Sequence, residues 1–369
     1  MEKVYEMTHK EKELLTVLGR FPAMPLKELR TRIQYKWTST IVRKIEQLRE
    51  QKILFGPSYY LDPGKLCKNL LYRVFCIMET HQKLETVISY LEMIKSFGWV
   101  FPVLSPRKNM LIAGFYSSDN AEMRSLFQLL KESNVITDYA IRISQHKRIM
   151  ENPNLFGNPN PPLDTILEPT EVPDWSYGEH STEWNECDMS ILLYLITGHP
   201  TIKLVEILRR ERASHRKWTY SQVSYSFEKM VKAGLIRKEC AVSPFPYNQC
   251  VYFALFLKCD TSALTPRLIY NFGKGERIYR EILLLGEWGL VECVSHPVFL
   301  STLLQKLDQI DVIKEKELYS VRSLPPGKCW FSSVPDLSDY DFESQTLQFP
   351  YYLYREKVKQ KLENESMLE

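Results

Sequence analysis

Lys36-Trp37-Thr38 and Lys217-Trp218-Thr219 set the same cation, indole and hydroxyl in a row, 181 positions apart. An ammonium attracts phosphate oxygens, an indole packs on a sugar or a base, and a Thr hydroxyl caps a helix whose free N–H groups can face an anion. The chemistry on offer is the gripping of a polyanion. After the first triplet, Thr40, Arg43, Lys44 and Gln47 fall on one side of a helical pattern, with Thr38 or Ser39 as its N-cap. Ile41, Ile45 and Leu48 fall on the other side. After the second triplet come Tyr220, Ser221, Gln222, Tyr225 and Lys229. Arg216 stands just before it, and Arg237 and Lys238 lie beyond the helix. Together with the triplets, these side chains are the candidate contacts to double-stranded DNA, through phosphates and base edges.

Their placement depends on the elements around them. In the first copy a helix is expected over 8–19, where Thr8 and Glu11 form a capping-box pattern and Leu14, Leu15 and Leu18 a stripe. Pro25 opens a second helix, with Leu26, Leu29 and Ile33 inward. The third helix follows the triplet. A hairpin through Gly56-Pro57-Ser58 then reads as a wing. Helix, helix, helix and hairpin make a winged helix-turn-helix, whose third helix enters the major groove. The pattern restarts with helices over 188–197, 201–212 and 219–233, then Gly234-Leu235-Ile236 and a wing from Arg237, Lys238 and 243–248.

Each copy is followed by a βαββαβ pattern, over 70–144 and again over 250–321. The expected fold class is α+β, with two winged helix-turn-helix domains each followed by a ferredoxin-like domain. The expected boundaries are 1–66 and 67–150 for the first pair, and 185–247 and 248–325 for the second. An acidic Pro/Asn-rich linker, 151–184, joins them, and an acidic tail, 326–369, ends the chain with a possible helix and an aromatic run that packs on the last domain.

Charge follows the same division. Residues 1–72 hold 14 Lys/Arg against 8 Asp/Glu, and 200–240 hold 10 against 4. Residues 151–190 hold 9 acids and no Lys or Arg. Two basic islands flank an acidic stretch, which suits a polyanionic partner. Apolar content of 44% and charged content of 25% are ordinary for a globular protein, no apolar run reaches membrane-spanning length, and residues 1–12 lack a signal core. No membrane partner and a cytoplasmic location are expected. The eight cysteines are scattered without a CxxC pair, so they read as buried reduced thiols. His146, His199, His215 and His296 form no spaced set, and Gly273-Lys274-Gly275 is too short for a phosphate loop. Without a nucleophile elbow, paired carboxylates or HExxH, the expectation is no cofactor, no metal and no enzyme.

Residues 38–67, TSTIVRKIEQLREQKILFGPSYYLDPGKLC, resemble the end of the DNA-binding domain of the Lrp/AsnC (feast/famine) regulators. The family's Ser/Thr-rich helix start, basic pair and Asp-Pro linker are present. Arg49 and Lys52 stand where the family usually has Glu and Gly. The resemblance implies a tandem form of a sequence-specific DNA-binding transcription regulator, of archaeal origin. It also implies a small effector such as an amino acid, and an intramolecular pseudo-dimer or a homodimer. The same domain order is similar to that of the siroheme decarboxylases, enzymes that bind a tetrapyrrole between paired modules. That alternative likeness is architectural: their His-rich, Arg-rich and Trp-Pro-Tyr-Asn segments are absent, and Pro246-Tyr247-Asn248 is a poor echo of the last.

Overall fold

A computed structural model describes residues 5–106, 108–197, 202–322 and 336–367. The expectations for His199, Cys329 and the start of the tail lie outside these residues.

The capping box at Thr8 and Glu11 forms, with both reciprocal bonds, and starts α1 (His9–Arg20). Leu14, Leu15 and Leu18 are buried against α2 (Leu26–Ile33) and α3 (Thr38–Glu50). Each such leucine contributes roughly 2 kcal/mol by leaving water. Trp37 is the N-cap of α3 and supplies no side-chain bond, so Thr38 and Ser39 are the first helical residues instead of the cap.

The expected first wing does not form as a hairpin. Residues Leu54–Leu61 form one strand, β1. Gly56 lets it do so: its φ is +92°, and a Cβ there would lie 3.0 Å from the Glu239 carbonyl oxygen. The partner of β1 is a later strand.

Asp62 caps the short α4 (Pro63–Leu66). The first βαββαβ follows as β2 (Tyr72–Thr80), α5 (Leu84–Leu91), β3 (Phe97–Val103), β4 (Asn109–Ser117), α6 (Asn120–Glu132) and β5 (Asp138–Ser144). Its sheet has the order β3-β4-β2-β5 with every pairing antiparallel. β6 (Ile149–Glu151) precedes the second helical trio, α7 (Glu186–Thr197), α8 (Leu204–Ala213) and α9 (Tyr220–Ala233). β7 (Ile236–Val242) pairs with β1 in a two-stranded sheet, so the second wing is likewise replaced by a single strand. The second βαββαβ is β8 (Val251–Cys259), α10 (Leu264–Asn271), β9 (Tyr279–Leu285), β10 (Trp288–Ser295), α11 (Pro297–Asp308) and β11 (Ile313–Ser320). Its sheet, β11-β8-β10-β9, repeats the first order and adds β6 at the β9 edge. β12 (Tyr340–Asp341), β13 (Thr346–Leu347) and α12 (Tyr351–Ser366) complete the chain. The architecture is mixed α/β with antiparallel, ferredoxin-type sheets.

The contacts divide the chain into two units, each drawn from separated stretches. One comprises 1–60, 147–175 and 237–320. Here Leu155, Cys240 and Val242 complete the core of α1–α3, while Leu163, Ile166 and Trp175 cover the helical side of the β8–β11 sheet. Part of the acidic segment is thus core.

The other unit comprises 61–146, 176–236 and 321–369. Gln345 holds Trp184 by both of its backbone groups, and the Trp184 indole N–H donates to the Lys65 carbonyl at 2.9 Å. The aromatic run 349–354 packs on the first βαββαβ, not on the second as its chain position suggests. The Tyr351 hydroxyl meets Ser117 Oγ at 3.0 Å, and α12 lies along α6.

Candidate functional site

In the first helical head, the residues of the triplet are accessible. Trp37 is 60% exposed, with the Lys36 ammonium 5.6 Å from its ring, and Ser39 and Arg43 are exposed. Thr38, Thr40 and Gln47 are half-buried. Lys44 is not on the open face. Its Nζ donates to Glu11 Oε1 at 2.8 Å and to Gln47 Oε1 at 3.0 Å. The cause is Glu11, a buried carboxylate at the start of α1 that needs a cation. Burial pushes the Glu11 carboxyl up, but the Lys44 ammonium and the donors of Thr8 and Tyr5 outweigh it and hold it below its usual value.

In the second head, Thr219 caps α9 and forms a capping box with Gln222. Tyr220 and Tyr225 are 50% and 68% exposed, and Ser221 and Lys217 are also exposed. Lys229 turns inward, whereas Arg216 and Arg237 stay exposed while pairing with glutamates. Lys229 Nζ lies 2.7 Å from Asp188 Oδ2 and 2.6 Å from the Glu183 carbonyl. Arg216 Nη1 lies 3.3 Å from Glu211 Oε2, and the Trp218 indole N–H donates to the same oxygen at 3.0 Å. Arg237 forks onto Glu239 Oε1, and Lys238 is half-buried. The two tryptophans therefore differ: Trp37 faces water, whereas Trp218 is tied to a buried glutamate.

One cluster escaped the sequence analysis. Arg148 is shared by Glu281, at 2.6 Å, and Glu239. The Tyr60 ring lies between the Arg148 and Arg237 guanidinium groups, 5.0 Å from each. Tyr279 donates to Glu281, and Tyr252 reaches Glu292 at 3.3 Å. Burial, reinforced by the glutamates, drives both tyrosines well above the usual phenol value, so they remain hydrogen-bond donors. Residues 60, 148, 239 and 281 are too far apart in sequence for any spacing rule to join them; the same-face placement of Tyr279 and Glu281 on β9 was the available sign.

The remaining candidates have local roles. His296 Nδ1 caps α11 by accepting from the Val298 N–H, and His215 is exposed after α8. Pro246-Tyr247-Asn248 enters a single 3-10 turn, with Lys52 Nζ 4.7 Å from the Tyr247 ring. Among the described residues, Cys67, Cys76, Cys187, Cys240, Cys250, Cys259 and Cys293 are free, and no His, Cys, Asp or Glu group is arranged to hold a metal. No helix among them is long and apolar enough to cross a membrane.

No family model matches the chain, and no curated protein does. Solved structures do match. The siroheme decarboxylase NirDL has a TM-score of 0.51 at 12% identity, over 97% of this chain and 100% of that chain. NirDL in complex with an iron-uroporphyrin III analogue gives 0.51 at 12%, over 98% and 100%. An AsnC family transcriptional regulator from Agrobacterium tumefaciens gives 0.30 at 18%, over 38% of this chain and 92% of that chain. Likeness to the regulators thus spans part of the chain. The expectation that the chain is not an enzyme is overturned, because the fold matched along its length is an enzyme's. In fold, the chain is similar from end to end to a siroheme decarboxylase.

Proposed function

We propose that the chain is a tetrapyrrole-binding enzyme of the siroheme decarboxylase type. In each turnover the bond between a ring substituent carbon and its carboxylate would break, carbon dioxide would leave and a proton would take its place. One observation carries the reading: the correspondence with NirDL runs over 97% of this chain and the whole of that one. In this reading the chain holds two modules, with the boundaries set out above. Each is a winged-helix-derived head followed by a ferredoxin-like domain. The heads add support. Lys44 and Lys229 are held by buried carboxylates within the chain, whereas a DNA-binding face needs cations free to displace counterions.

The test is to add iron-uroporphyrin III to the purified full chain. A saturable shift of the Soret band is the expected result, and siroheme itself should yield product lighter by whole carbon dioxide units. Absence of a saturable shift rejects the reading.

A second reading, a DNA-binding regulator with an amino-acid-like effector, rests on what stays exposed. Lys36, Trp37, Ser39 and Arg43 are accessible on the first head, and Lys217, Tyr220, Ser221 and Tyr225 on the second. Selection of bound genomic DNA fragments distinguishes it: salt-sensitive enrichment of particular sequences would favour the regulator.

A further inference from the structure

In the unit that holds β2–β5, residues 176–180 cross the short helix α4 as a strap. Gly64 and Gly178 meet at the crossing. A Cβ on Gly64 would lie 2.3 Å from the Gly178 carbonyl oxygen, and one on Gly178 would lie 2.2 Å from Lys65 Cε. Only glycines allow so close an approach. The strap is pinned on both sides of the crossing. Gly178 N–H donates to Asp62 Oδ2 at 3.1 Å, and a β-bridge joins Ser176 to His146.

Beneath the strap lies a cavity of about 530 Å3, bounded also by 67–71 and 145–146. Lys68, His146, Tyr177 and His180 are among its polar lining residues. Lys68 is exposed and makes no ion pair among the described residues. His180 Nε2 is buried and has no hydrogen-bond partner among the described residues. Such an orphan destabilises the empty site and favours a ligand that satisfies it. Burial and the Lys68 charge outweigh the pull of the Gln345 side chain and of Glu183 and hold the His180 imidazole below its usual value, which leaves it neutral and able to carry its proton on Nε2. The Asn69 amide is engaged elsewhere, exchanging two bonds with Leu347. The Cys67 thiol, pushed up to about 12 by burial, keeps its proton and offers no nucleophile. The chemistry left to the cavity is recognition.

We propose that this cavity binds a compact anionic group, a carboxylate or phosphate borne by a small molecule, between the Lys68 ammonium and His180 Nε2–H. Its volume suits a small metabolite. Glu179, exposed like Lys68, is the carboxylate of the lining, so the anion is placed on the side of Lys68 and His180 Nε2. The inference does not depend on the tetrapyrrole reading.

Calorimetric titration of the full chain with succinate and, separately, inorganic phosphate tests it. Saturable binding of at least one probe is expected, and the tighter of the two identifies the anion class. Lys68→Ala and Leu70→Glu should each weaken binding by about tenfold or more, the second by placing a like charge at the mouth. Lys68 and Leu70 are exposed, so both variants keep the fold, which circular dichroism verifies. If neither probe binds saturably, or if both variants bind as the parent does, the proposal is overturned.

Discussion

Asp188, wholly buried in the first turn of α7, holds the Lys229 ammonium of α9 at 2.7 Å. Glu11 of α1 holds Lys44 of α3 at 2.8 Å in the other head. Each acid also closes a reciprocal cap with the residue three before it, Asn185 or Thr8. One carboxylate thus starts the first helix of its head and anchors the third. The lysines that hydropathy spacing assigns to an outer face are claimed by that carboxylate.

Removing Lys229 should therefore destabilise the fold. Lys229→Ala leaves the Asp188 charge buried, with its Oδ1 already unpartnered, and should lower stability by about 3 kcal/mol. Lys229→Met combined with Asp188→Asn should regain most of that. Urea unfolding midpoints measure both, and a single variant with the parent's midpoint contradicts the structural role.

Glu11 makes the first head sensitive to acid. Its carboxyl lies below the usual 4.5 in the folded chain, because Lys44 and Thr8 favour the charged form more than burial opposes it. The unfolded chain therefore binds a proton more readily. Stability from this group is full above the usual carboxylate range and is lost as pH falls through the lower, folded value. Glu11→Gln should flatten the acid limb of the stability curve between neutrality and pH ~3. Parallel curves for parent and variant would count against this account.

Arg43 and Lys44 are adjacent but should respond differently. Arg43→Ala, on the open side of α3, should change stability by no more than about 0.5 kcal/mol. Lys44→Ala should lower it by about 2 kcal/mol, because Glu11 loses a charge-assisted bond. Equal effects on the unfolding midpoint would mean that Lys44 is free in solution.

The same contrast marks what could be read from sequence. The helices and the order of both βαββαβ units were legible, because capping boxes, stripes such as Leu14-Leu15-Leu18 and strand alternation are local signals. The two wings were not. Gly56-Pro57-Ser58 has the composition of a turn, yet β1 includes it, since its partner β7 lies far along the chain. The inward turn of Lys44 and Lys229 was hidden for the same reason: each answers a buried acid on another helix. The Arg148 cluster draws on separated stretches, and its one local sign is the same-face pair Tyr279 and Glu281 on β9. The strap cavity depends on contact between Gly64 and Gly178, which no periodicity marks.

The Arg148 cluster supplies a pH-dependent test. Arg148 offsets two carboxylates, Glu239 and Glu281, whose side chains are 8% and 17% exposed. In Arg148→Leu the two acids face each other with Arg237 and the Tyr279 hydroxyl as remaining partners. The loss at neutral pH should be about 3 kcal/mol. Like charges at close range raise the pKa of one of the pair, so the folded variant takes up a proton more readily than its unfolded chain. The deficit should therefore shrink as pH falls toward ~5, the opposite of the trend set by Glu11. Unfolding midpoints of parent and variant at pH ~7 and ~5 decide it. A deficit that is the same at both values would mean that the two carboxylates do not sense each other once the guanidinium is gone.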